Sequence, residues 1–173
     1  MPKTGAYKGP LVITVGVTGH QRLKNSNDWI WVRNELESSL AGFSRPWLGI
    51  SSLAIGTDQL FAELVLESGN PLKVVVPNEE YHKSFHTGPE REHYLKILNQ
   101  ATEVVTLTGA SSAEESYLRA GKMVVDESDL ILAVWDGRPS KGLGGTGDIV
   151  AYAISSRKKV IHLNPISHSH EKK

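Results

Sequence analysis

Four glycines fall within the six residues from Gly142 to Gly147. They come soon after the apolar run Leu130-Ile-Leu-Ala-Val-Trp135 and the break at Asp136-Gly137. An apolar helical pattern begins at Ile149. A buried strand that passes through a glycine-dense turn into a helix is one way a parallel α/β sheet builds an anion site. Glycine lets the backbone approach a ligand, and the unpaired N–H groups of the first helical turn face it. We read Gly144, Gly145, Thr146 and Gly147 as a phosphate-facing loop. The competing reading of the same composition is a plain surface loop.

Two other loops also follow a strand-like run and precede a helical one: Gly19-His20-Gln21-Arg22 and Gly56-Thr57-Asp58. In an open parallel sheet such turns gather along the carboxyl edge, so residues far apart in sequence line one crevice. Arg22 offers a planar fork suited to phosphate, and His20 offers a hydrogen bond to a phosphate or sugar. Thr57 and Asp58 suit either ribose hydroxyls or the cap of the helix they open. Trp135 ends the organising strand, where it can stack on a base or pack in the core. Asp136 stands beside it.

The loop matches no common nucleotide signature. A P-loop needs Lys and then Ser or Thr after its last glycine, whereas Asp148 follows Gly147. The first turn, Gly16-Val-Thr-Gly19, is one glycine short of a dinucleotide fingerprint. Neither ATP hydrolysis nor hydride transfer is indicated. His82 and His86 are four residues apart, but there is no cysteine and no H-E-x-x-H pattern, so we expect no metal and no cofactor.

The elements that must position these loops are legible in order. Leu11–Thr18 reads as a central strand buried on both sides. Trp29, Val32, Leu36 and Leu40 recur at helical spacing after a start at Asn25 to Asp28. Ile50–Ile55 is a second strand, followed by a helix that ends near Gly69-Asn70-Pro71. Leu72–Pro77 is a third. The stretch Asn78–Gly88 has no period. Thr87-Gly-Pro-Glu90 and Ser112-Ala-Glu-Glu115 are capping boxes opening two further helices. Glu103–Thr108 is a fourth strand, nearer an edge, and Lys159–Asn164 is a last one after a helix over 146–156. Arg157, Lys158 and Lys159 complement that helix's dipole. The alternation predicts an α/β fold: a single-domain, Rossmann-like open sheet, mainly parallel, with helices on both faces. Residues 1–10 read as a flexible leader, 11–164 as the domain and 165–173 as a flexible polar tail.

The length of 173 residues suits one core without disulfides. Lys plus Arg is 19 and Asp plus Glu is 19. A duplex-binding surface usually shows as basic excess, so a nucleic-acid partner is not expected. No apolar run is long enough to span a bilayer, and the start lacks a signal-peptide core. The default expectation is a cytoplasmic protein with no membrane partner.

Three segments together carry a resemblance: Val15-Gly-Val-Thr-Gly-His20, Ala54-Ile-Gly-Thr-Asp-Gln-Leu-Phe-Ala-Glu63, and Gly144-Gly-Thr-Gly-Asp148 followed by Ala151-Tyr-Ala153. In this order the chain, from about Leu11 to Asn164, resembles the SMF/DprA–LOG (SLOG) superfamily. The resemblance implies a Rossmann-like fold that binds nucleotides or nucleotide-derived ligands, and a homo-oligomer (a dimer or larger). LOG-type phosphoribohydrolases carry Pro-Gly-Gly-x-Gly-Thr-x-x-Glu, with glycines on phosphate and a catalytic glutamate. This chain matches at Gly144, Gly145 and Gly147, but has Leu143 for the proline, Asp148 for the threonine and Ala151 for the glutamate. The chain is more loosely similar to nucleoside 2-deoxyribosyltransferases, whose nucleophilic glutamate is replaced here by Ile149.

Three functions follow. The first is a nucleotide-binding or nucleotide-sensing module. The second is an N-glycosidase acting on nucleoside 5′-monophosphates, with Asp148 or Glu79 as the catalytic carboxylate. The third is an interaction domain for single-stranded nucleic acid, as in DprA-like relatives.

Overall fold

The computed structural model describes Gly9 and residues 12–173, and the leader expected over 1–10 lies almost wholly outside the described residues. The strands are β1 (Thr14–Gly19), β2 (Leu48–Ser51), β3 (Leu72–Val76), β4 (Glu103–Thr106), β5 (Leu130–Val134), β6 (Lys159–Asn164) and β7 (Ser169–Lys172). The helices are α1 (Asp28–Ala41), α2 (Thr57–Glu67), α3 (Gly88–Gln100), α4 (Ala113–Asp126) and α5 (Thr146–Ser155), with a short 3-10 turn at Tyr81–Ser84.

Among the described residues there is one seven-stranded sheet of order β4-β3-β2-β1-β5-β6-β7. Its first six strands pair in parallel and β7 runs antiparallel to β6. The chain winds outward from β1 to one edge, then returns to β5 on β1's other side. Strand order therefore reverses between β1 and β5, where a crevice opens beyond the strands' carboxyl ends.

Alternation along β5 shows how both faces are covered. Leu130, Leu132 and Val134 belong to a core with Val32 and Leu36 of α1, Phe61 and Val65 of α2, and Ile97 of α3. Ile131 and Ala133 face a second core with Val124 of α4 and Ile149, Val150 and Ala153 of α5. A period of two in the strand and of 3.6 in the helices sorts the buried apolar residues into these two layers.

The structure corrects four sequence expectations. The tail at 165–173 is structured. Asn164 Oδ1 accepts from the N–H groups of Ile166 at 2.9 Å and Ser167 at 3.2 Å, turning the chain back so that β7 pairs with β6. An edge strand exposed along its length carries no apolar alternation, so its residues read as coil. The second strand stops at Ser51, not Ile55. Ser51 Oγ accepts from Leu53 N–H at 3.1 Å and donates to the Asp58 carbonyl at 3.1 Å, closing a turn in which Leu53 takes φ +57°. The capping box at Thr87 and Glu90 forms in both directions. At Ser112 only half forms, because the Glu115 carboxylate accepts from Ser111 N–H at 2.6 Å. Finally, Lys158 Nζ donates to the carbonyls of Asp126 and Ser128 at 2.9 and 2.8 Å, closing the end of α4 rather than α5.

Candidate functional site

The crevice at the β1/β5 reversal is a cleft of about 1210 Å³. It brings together the loops after β1, β2 and β5, which lie as far apart in sequence as Gly19 and Gly147. Gly19, His20, Arg22, Asp58, Trp135, Asp136, Gly144, Gly145, Thr146 and Gly147 all line it. Gly56, Thr57, Asp148 and Glu79 do not.

The β5–α5 loop is braced from within. Trp135 Nε1 donates to the Arg138 carbonyl at 2.7 Å, and Asp136 Oδ1 accepts from Arg138 N–H at 3.0 Å. His20 Nε2 accepts from Asp136 N–H at 2.9 Å, which ties the loop after β1 to the loop after β5. Asp148 N–H donates to Ser140 Oγ at 2.8 Å, and Asp148 Oδ2 accepts from Gly144 N–H at 3.0 Å. The glycines are required by these close approaches. Gly144 has φ +80°, and a Cβ there would stand 2.7 Å from Leu118 N. A Cβ at Gly147 would meet the backbone of Ser140 at 2.9 Å and of Arg138 at 3.0 Å.

With the loop braced in this way, α5 begins on Thr146 with Gly145 as its N-cap and no side-chain cap. The Asp148 and Ile149 N–H groups are taken by the Gly145 carbonyl. Among the described residues, no acceptor serves the N–H groups of Thr146 and Gly147. Two donors at the positive end of a helix therefore border the cleft, a geometry that suits a phosphoryl oxygen pair.

The β2–α2 loop does different work from that read in the sequence. Thr57 neither caps α2 nor faces the cleft: fully buried, its hydroxyl donates to the His20 carbonyl at 2.8 Å. The N-cap is Gly56, at φ +85°, where a Cβ would collide with the Gln21 carbonyl. Asp58 Oδ2 accepts from Ala54 N–H at 3.3 Å and so holds the turn rather than the helix end. Burial pushes the Asp58 carboxyl up to about 7, against the lowering effect of the Ala54 and Ser52 N–H groups. Gly19 and Gly56 thus let two loops touch, since a Cβ on Gly19 would stand 2.5 Å from the Thr57 methyl.

The two carboxylates expected to be catalytic stand outside the cleft lining. Asp148 is occupied by Gly144, and Glu79 is exposed beyond β3 outside the cleft lining. The carboxylates that do line the cleft are Asp58 and Asp136. Arg22 is exposed at the rim and pairs with Glu90 of α3 at 3.2 Å. Sequence reasoning missed Lys24, Arg138, Ser140 and Lys141, which also line the cleft. Arg138 and Lys141 lie between Gly137 and Gly142, in the run leading into the glycine-dense turn, so the clue was their position there. Ser140 gave none, because its partner depends on how the loop folds.

No protein-family model matches the sequence, and no curated protein matches it. Solved structures do match in fold. DNA processing protein A (DprA) from Streptococcus pneumoniae aligns over 87% of this chain and 50% of its own, with TM-score 0.65 and 13% identity. The Helicobacter pylori DprA, described by its mode of single-stranded DNA binding, aligns over 90% of this chain and 70% of its own, with TM-score 0.64 and 13% identity. The molybdenum cofactor binding protein from Rippkaea orientalis aligns over 90% and 78%, with TM-score 0.56 and 18% identity. The chain spans only half the length of the Streptococcus protein. These likenesses establish the Rossmann-like fold that the SLOG resemblance implies. Among the described residues no helix is long and apolar enough to cross a membrane.

Proposed function

We propose that this chain is a SLOG-type module that binds a small, phosphate-bearing, nucleotide-like ligand at the carboxyl edge of β1 and β5. One observation carries the reading: the Thr146 and Gly147 N–H groups border the cleft with no acceptor among the described residues. The fold shared with a molybdenum cofactor binding protein supports a small-molecule occupant. Gly144, Gly145, Thr146 and Gly147 would hold the phosphoryl group, while Trp135, His20 and Asp136 shape the wall beside it.

We favour binding over hydrolysis because of where the carboxylates lie. An N-glycosidase needs one at the anomeric carbon, and Asp148 spends its own on Gly144 N–H. Hydrolysis would fall to Asp136, whose side chain is 24% exposed and stands 3.4 Å from His20 Nε2.

The test is a panel of nucleoside monophosphates, followed both by thermal midpoint and by chromatography of released base. Stabilisation without free base is the expected result, since a ligand that prefers the native state raises its apparent stability. Base release that vanishes in Asp136→Asn would replace this reading with hydrolysis. Absence of any stabilisation would remove it. A homo-oligomer belongs to the same proposal, and light scattering checks it.

A further inference from the structure

The cleft carries cationic side chains besides the two amides at the start of α5. Among the described residues, Arg22, Lys24, Arg138 and Lys141 line it, beside the carboxyl groups of Asp58 and Asp136. The whole chain, by contrast, is formally neutral. Asp58 is buried within the β2–α2 turn, and Asp136 is engaged by Arg138 N–H and stands beside His20. Arg22 has Glu90 as its counter-ion, whereas Lys24 and Lys141 have no acidic partner among the described residues.

Arg138 is the most telling of the four. Both of its backbone polar groups are committed, its N–H to Asp136 Oδ1 and its carbonyl to Trp135 Nε1. Its side chain nevertheless stands 85% exposed, with Nε no closer than 4.0 Å to Asp136 Oδ2. An exposed guanidinium paired with Asp136 only at 4.0 Å can turn its planar donor fork to an oxyanion in the cleft. It sits on the loop whose backbone at 138–140 packs against Gly147, the residue carrying one of the free amides. The volume of about 1210 Å³ also exceeds the roughly 300–1,000 Å³ of an ordinary small-ligand pocket.

We infer that the ligand carries two linked phosphoryl groups, with one on the Thr146 and Gly147 amides and the other held by Arg138 and Lys141. This rests on the binding reading above and deepens it. The shared chemistry is a nucleoside diphosphate, whether the diphosphate is terminal or bridges two sugars.

Calorimetric titration of the full chain with AMP, ADP and ADP-ribose, and with GMP and GDP beside them, tests the inference. The R138A/K141A double variant is titrated in parallel. Wild type is expected to bind a diphosphate roughly tenfold or more tighter than the matching monophosphate. The double variant is expected to lose that preference, leaving monophosphate affinity and the unliganded Tm unchanged. Preference for ADP or GDP alone would mean a terminal diphosphate, and preference for ADP-ribose a bridging one; either supports the inference. Monophosphate bound as tightly as diphosphate, or a loss in the variant that falls equally on both, overturns it while leaving the binding reading standing. No nucleotide binding to wild type overturns both. Oligo-dT bound more tightly than any of these, and weakened in the double variant, would assign the cations to single-stranded DNA and overturn the diphosphate inference.

Discussion

Asp148 Oδ2 accepts a hydrogen bond from Gly144 N–H at 3.0 Å, so the acidic residue of the glycine loop serves the loop itself. The same residue's N–H is held by Ser140 Oγ at 2.8 Å. Asp148 thus fastens both ends of the turn that leaves Thr146 and Gly147 without acceptors among the described residues. We expect Asp148→Ala to lower unliganded stability by about 1–2 kcal/mol and to weaken phosphate-ligand binding through a looser loop. Urea unfolding and titration with a nucleoside monophosphate check this. A variant with wild-type stability and affinity would show that the brace contributes nothing.

A substitution can also remove one amide without disturbing the helix. Thr146 is the first residue of α5, where proline is well tolerated because its missing N–H lacks an intrahelical partner anyway. Gly145 before it sits at φ −68° and ψ 170°, the extended conformation that a following proline favours. Thr146→Pro should therefore leave the melting midpoint of the free protein close to wild type. Ligand affinity should fall by roughly tenfold, the scale of one charge-assisted hydrogen bond. Thr146→Ala, which keeps the N–H, separates loss of the amide from loss of the hydroxyl. Equal affinity in wild type and Thr146→Pro would take the helix start out of the site.

The Asp58 carboxyl makes stability depend on pH near neutrality. Its folded-state pKa is about 7, raised from 3.8 by burial. Between those values the native state binds a proton that the unfolded chain has released. Stability is therefore fully present below about pH 4 as far as this group is concerned, and it is lost as pH rises through 7. The slope should approach −1.4 kcal/mol per pH unit between about pH 5 and 6 and flatten above pH 8. Asp58→Asn should abolish that component, read from urea unfolding at each pH. A wild-type curve already flat across pH 5–8 would refute it.

At the far edge of the sheet, Lys73 of β3 bonds Glu103 of β4 at 2.8 Å and Glu127, after α4, at 2.7 Å. Burial pulls the lysine's pKa down, yet the bonds and charges of the two glutamates outweigh it and hold the value above normal. Lys73→Met would take the shared cation from between two carboxylates, at a cost of about 3 kcal/mol. Because this cluster lies at the end of the sheet opposite the cleft, ligand affinity measured well below the melting midpoint should not change. A loss of affinity in that variant would mean that the two edges are coupled.

How much of this was readable in advance divides by the range of the interaction. The capping box at Thr87 and Glu90 forms as written, because its partners are three residues apart. Strands β3 and β5 stand where apolar runs placed them, since burial on both faces leaves an unbroken hydrophobic signature, while β1 runs Thr14–Gly19 rather than Leu11–Thr18. The polar strand β7 was illegible for the converse reason. Thr57 and Asp58 were legible as important but not in role. The His20 carbonyl that takes the Thr57 hydroxyl is 37 residues away, and no local rule names it.

The amino-acid sequence by itself determined the alternation of strands and helices, the two-sided core and the glycine-dense turn before α5, because propensity and periodicity act over a few residues. Only the tertiary structure decided that Asp148 is consumed by Gly144, that Thr57 bonds His20, and that Arg138 and Lys141 share a cleft with Lys24. Those outcomes depend on which loops the sheet order brings to one edge. Strand order is settled by packing of the whole chain, which no window of neighbouring residues records.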